Sequence, residues 1–152
     1  MATSDEFAQK MAQRIKDQEA KANQDHQIVL HNAGVIRSQG VSAWRALSFD
    51  AKEYLQKLGP YTSYTQEGDN EFTLGYGQRH IAVKFDPEGA LITYIGNAEI
   101  GHGGFRPEVD GESLVYYAQT GLTIDGPSPK GTGARALTAQ EMAEKLITKL
   151  IG

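Results

Sequence analysis

Residues 54–64, YLQKLGPYTSY, hold the change of pattern on which the fold turns. Before them apolar side chains recur at helical spacing, and beyond them the chain alternates in steps of two. Gly59 can take the left-handed position that ends a helix, and Pro60 lacks the N–H that would continue one. Of the 17 glycines, only Gly34 and Gly40 precede Gly59, so the turn-rich part of the chain begins there. The expected order is therefore helix first, then an antiparallel sheet, then a closing helix.

Working back from Leu58, the apolar positions Leu55, Tyr54, Ala51, Leu47 and Trp44 share one helical phase. Ile36, Ala33 and Val29 keep that phase, and it fades through Ala22 and Gln18 before Ile15, Met11 and Phe7 restore it. Residues 16–27 are polar on every side, so that stretch has little to gain from burial. Thr3 and Glu6 have the spacing of a capping box. A glycine inside a helix costs about 1 kcal/mol relative to alanine, so the pattern predicts one long helix bent or broken near Gly34 or Gly40, with a break favoured over a straight rod.

Working forward, Phe72, Leu74 and Tyr76 alternate with small or polar residues, as do Ile81, Val83 and Phe85. Gly77-Gln78 between them suits a type II′ hairpin loop. Asp86-Pro87-Glu88-Gly89 has the chemistry of a type I turn, followed by an apolar strand over 90–95. Asp110-Gly111 signals a second hairpin between runs at 105–109 and 114–118, and 120–124 could add an edge strand. Such short turns predict a meander of roughly five to seven antiparallel strands. Residues 126–133 are too rich in proline and glycine for either element and read as a flexible linker. Thr138 and Glu141 form a second capping box ahead of the apolar face of Met142, Leu146, Ile147, Leu150 and Ile151.

The expected architecture is a single α+β domain over residues 1–152, with a helical segment at 1–58, a sheet within 61–125 and a closing helix at 138–151. A chain of 152 residues with 39% hydrophobic and 22% charged residues can bury a core without staples. The absence of cysteine excludes disulfides, thiolate metal sites and a thiol nucleophile. With no basic stretch leading into an apolar run and no window long enough to cross a bilayer, a soluble cytoplasmic protein without membrane contact is expected.

Net charge is −4. Through Leu58 eight basic residues face seven acidic ones, and from Gly59 onward seven face twelve. The sheet portion thus lacks the basic footprint that neutralises phosphates, and no nucleic acid is expected as a partner.

Four histidines could titrate near neutrality. His26 and His31 are five apart and fall on different helix faces, so they do not form the i, i+4 metal pair. No metal site and no cofactor is expected. His102 lies in Gly101-His102-Gly103-Gly104, read as a glycine-rich loop, with Glu99 three residues before and Arg106 four after. Together with Arg79 and His80 near a hairpin tip, these residues form the candidate ligand-binding set, able in principle to hold a carboxylate or phosphate. Glu108, Asp110 and Glu112 surround a turn and are expected to face water. The run Lys130–Arg135 lacks the spacing of a phosphate-binding loop.

Tyr116 and Tyr117 are adjacent on a predicted strand and must point to opposite faces. If one face is uncovered, they become candidates for an interface with a second copy or a protein partner. Two functional expectations follow. The first is a non-enzymatic binding or assembly module using its sheet surface, with a homodimer or a protein partner as the expected assembly. The second is a small enzyme or ligand-binding protein with a pocket around His102, His80 and Arg106.

Overall fold

The computed structural model describes residues 3–152. The elements are helix α1 (Thr3–Lys57), strands β1 (Thr62–Gly68), β2 (Glu71–Tyr76), β3 (Arg79–Phe85), β4 (Ile92–Gly96), β5 (His102–Asp110) and β6 (Ser113–Gln119), and helix α2 (Ala139–Ile151). The six strands form one antiparallel sheet in chain order, as expected of a meander. The α+β class holds, with α2 packed on the sheet. By its internal packing the chain falls into two units, one ending at Gly34 and the other spanning Val35–Gly152. No helix among the described residues is long and apolar enough to cross a membrane.

Helix α1 is continuous in secondary structure, so the expected break at Gly34 or Gly40 does not occur. The cost of one glycine is too small to end a helix whose neighbours keep their hydrogen bonds. Gly40 has a different reason to be there. It is buried, and a Cβ at this position would lie 2.7 Å from the Cβ of Ala90. The start of α1, and with it the capping box expected at Thr3, lies at the edge of the described residues. In the first unit, the side chains from Thr3 to His31 are exposed apart from a half-buried Met11.

The second unit holds the core. Trp44, Leu47, Ala51 and Leu55 of α1 join Met142, Ala143, Leu146, Ile147 and Leu150 of α2 against one face of the sheet. That face presents Phe72 and Leu74, Ile81, Val83 and Phe85, then Ile92, Tyr94, Phe105 and Tyr116. Trp44 stacks on Phe72 and Phe85 at ring separations of 4.9 and 5.4 Å and donates its indole N–H to Asp69 O at 2.8 Å. Each large aromatic buried this way supplies a major share of core stabilisation.

The local turn chemistry is as the residues require. Gly59 has φ +109°, and the Thr62 hydroxyl donates to Leu55 O and Gly59 O, satisfying carbonyls that the helix end leaves open. Tyr76 pairs with Arg79 across Gly77-Gln78, with Gly77 at φ +59°. The Asp86 carboxylate accepts from the N–H groups of Glu88 and Gly89. In the second hairpin Asp110 pairs with Ser113, so the loop is Gly111-Glu112, one residue later than the Asp-Gly pair suggested. The Thr138 capping box forms as expected, with Glu141 N donating to Thr138 Oγ1 and Thr138 N to Glu141 Oε1.

One strand is additional to those read from the pattern, and two expectations on the sheet need correction. Strand β1 is too polar to stand out by alternation, and it pairs with β2 along its length. Residues 120–124 do not form an edge strand, because the Gln119 amide donates to Gly121 O and Thr123 O and turns the chain away. His102, Gly103 and Gly104 lie in β5 and not in a loop. Their glycines serve close approach: a Cβ on Gly103 would meet the Tyr94 hydroxyl at 2.5 Å, and one on Gly104 would meet Ile92 O at 2.6 Å.

Candidate functional site

Alternation along β3 separates the first two candidate residues. Arg79 lies on the helix-covered face and His80 on the other. The Arg79 guanidinium donates from Nε to Leu150 O at 2.7 Å and from Nη2 to Lys149 O at 3.1 Å, and its Nη1 pairs with Glu99 Oε2 at 2.7 Å. The last carbonyls of α2 would otherwise have no partner, and a cation there complements the helix dipole. Arg79 and Glu99 do come together, as a clasp on the end of α2. His80 is exposed, and its backbone N–H donates to Asn97 Oδ1 at 2.6 Å. Asn97, which the sequence reading did not single out, stitches the β4–β5 turn to β3.

Arg106 is likewise structural. Its Nε lies 2.8 Å from Glu108 Oε1, with side chains only 13% and 18% exposed, so Glu108 does not face water as expected. Its Nη1 donates to the carbonyls of Asp125, Gly126 and Pro127 at 3.1–3.3 Å. Lys130 adds an ion pair to Asp110 at 3.2 Å and a hydrogen bond to Val109 O. The proline- and glycine-rich segment is therefore anchored at two points along β5, which corrects its reading as a free linker.

The two candidate interface tyrosines are both buried. Tyr116 is 2% exposed, and its hydroxyl donates to Ala90 O at 2.6 Å. Burial raises its pKa far above the ordinary tyrosine value. Tyr117, opposite Arg106 in register, is 8% exposed. Neither offers an exposed ring to a partner. On the sheet face away from the helices, Ile95 is the one large apolar strand residue more than half exposed among the described residues.

His102 is exposed at the start of β5 and, unlike His80, borders a cavity. This cleft of about 260 Å³ lies between α2 and the β4–β6 part of the sheet, with Tyr94 and Phe105 in its wall and Lys145 and Lys149 on its helical side. Lys149 Nζ stands 5.8 Å from the centre of the Tyr94 ring. His80, Arg79 and Arg106 do not line it. Lys145 and Lys149 escaped the sequence reading because solvated helix lysines carry no local mark of a site; their i, i+4 spacing was the only available signal.

The other unassigned surface is on the first unit. Phe7, Ile15, Ile28, Val29 and Leu30 are between 54% and 63% exposed. Scattered exposed apolar residues are ordinary, and these five fall within one helical segment of 32 described residues. Among the described residues, no group of three or more histidine or carboxylate side chains could hold a metal ion. No protein-family model, curated protein or solved structure matches the chain.

Proposed function

We propose that the chain is a binding or assembly module that acts through the first unit of α1, by pairing with a second copy. The observation that supports this reading is the exposure of Ile15 and Val29 on one face of the helix, flanked by exposed Phe7 and Ile28. Isolated helices are marginal in water, and most helical stability comes from packing an apolar face. Ala8, Ile15, Ala22 and Val29 recur every seven residues, the spacing of one seam position in a coiled coil. Arg14 and Glu19 flank that seam with opposite charge, so in a parallel pair each Arg14 meets the Glu19 of the other copy.

The intermediate seam positions Met11, Gln18, Asp25 and Asn32 are mostly polar. Polar seam residues specify register at a cost in stability, so the pairing is reversible and concentration-dependent. A sheet-surface interface loses its anchors with Tyr116 and Tyr117 buried. The acidic sheet portion argues against nucleic acid as the partner, and the reading includes a cytoplasmic setting without membrane contact.

Sedimentation velocity over a concentration series tests the proposal. A monomer–dimer equilibrium is expected, lost in the Ile15→Glu, Val29→Glu double variant and tightened in Asp25→Leu, with the Trp44 fluorescence of the second unit unchanged. A wild-type chain that stays monomeric at the highest concentration, or a double variant that still dimerises, overturns it.

A further inference from the structure

The cleft beside His102 carries a second inference, independent of how α1 associates. We propose that it binds a small carboxylate with a flat apolar body, the carboxylate held by Lys145 and Lys149 and the body resting on Tyr94 and Phe105. Four observations support this assignment.

The first is size. At about 260 Å³ the cavity is slightly smaller than the pockets that enclose drug-sized ligands, which suits a molecule of one ring or a short chain. The second is charge. In a chain of net charge −4, no aspartate or glutamate lines this cleft. Lys145 and Lys149 lie one helical turn apart and form no ion pair among the described residues. The carboxylates nearest along α2 are engaged elsewhere: Glu141 by Thr138 and Arg135, Glu144 by Gln140 and Tyr54.

The third observation is Tyr94. The residue is only 6% exposed, yet its hydroxyl is neither hydrogen-bonded among the described residues nor one of the buried unpaired polar atoms, so it is open to water or to a ligand. It rests over Gly103, where any side chain would displace it. The fourth is the wall itself. Tyr94 and Phe105 have ring centres 6.0 Å apart, giving an aromatic surface next to the two ammonium groups. That combination of apolar wall and few convergent polar groups is what a ligand site needs. His102 borders the rim from the start of β5.

A dipole role for Lys149 in the last turn of α2 would be purely structural, so the test must read binding. Benzoate, neutral benzamide and inorganic phosphate are titrated separately into the full chain, with amide and side-chain shifts followed by NMR. Benzoate is expected to move the resonances of Tyr94, Phe105, Lys145 and Lys149, and to bind at least about tenfold more tightly than benzamide or phosphate, as a charge-assisted contact plus an apolar wall requires. The exposed Lys145→Gln, Lys149→Gln double variant is expected to lose that preference while unfolding at the same denaturant midpoint. No shift in the cleft, equal binding of benzamide, phosphate binding as tight as benzoate, or a double variant that keeps the preference would each overturn the assignment.

Discussion

Between Thr3 and Gly34, helix α1 leaves Phe7, Ile15, Ile28, Val29 and Leu30 more than half exposed, whereas between Val35 and Lys57 the same helix buries Trp44, Leu47, Ala51 and Leu55. The backbone conformation is common to both stretches; what sustains it is not. In the second stretch the helix is a wall of a packed core, and its glycine at position 40 is dictated by a neighbour. In the first, the helix has its own hydrogen bonds and i, i+4 contacts such as Gln13 to Asp17, each worth a few tenths of a kcal/mol. Helical periodicity alone therefore does not say whether an apolar stripe is core or interface.

The largest expected contrast comes from removing one side chain in each stretch. Trp44→Ala should destabilise the chain by about 3–5 kcal/mol, since it empties a stacked aromatic site and leaves Asp69 O without its donor. Val29→Ala should change the unfolding free energy, measured in urea at low protein concentration, by no more than about 0.5 kcal/mol. A comparable loss at both positions would mean that the first stretch is held by the core after all.

The two glycines give a subtler contrast, because one substitution should act with opposite signs. Gly34→Ala meets nothing within 4 Å and should stabilise by about 1 kcal/mol through helix propensity. Gly40→Ala drives a methyl into Ala90 and should cost about 1–3 kcal/mol by overpacking. Ala90 has φ +62°, a conformation that glycine adopts more readily. Ala90→Gly should therefore rescue Gly40→Ala, a coupling that a double-mutant cycle in thermal unfolding would measure.

Alkaline titration separates the stretches with the smallest effect. The seven tyrosines all lie at Tyr54 or beyond, so residues 3–34 contain none. Burial raises the pKa of Tyr116 and of Tyr64, so their contribution is fully present below pH 10 and is lost as pH rises through their folded values. Stability of the second unit should fall above pH 10. Tyr116→Phe should cost about 1 kcal/mol at neutral pH by removing the bond to Ala90 O, and should flatten the alkaline limb. An unchanged alkaline limb in that variant would show that Tyr116 is not its source.

Much of the fold was legible because it is decided within a few residues. The end of α1 at Gly59, the Gly77-Gln78 loop, the Asp86 turn and the Thr138–Glu141 cap each follow from a φ angle or a hydrogen bond that the local chain supplies. Strand β1 was not legible, since Thr62–Gly68 is an edge with little to bury. The candidate ligand set was readable as chemistry but not as geometry. Arg79 and Glu99 became a clasp on α2, Arg106 an anchor for the segment after β6, and His102 alone kept a place beside a cavity.

The order of elements, the antiparallel turns and the apolar face of α2 are written in the local sequence, because φ preferences, caps and periodicity operate between near neighbours. Long-range packing settled that Tyr116 is core, that Gly40 makes room for Ala90, and that Lys145 and Lys149 share a cleft with Tyr94. The physical reason is distance along the chain. Arg79 meets the carbonyl of Leu150, 71 residues away, and no local pattern specifies the partner of a charge whose alternatives include every exposed carbonyl and water.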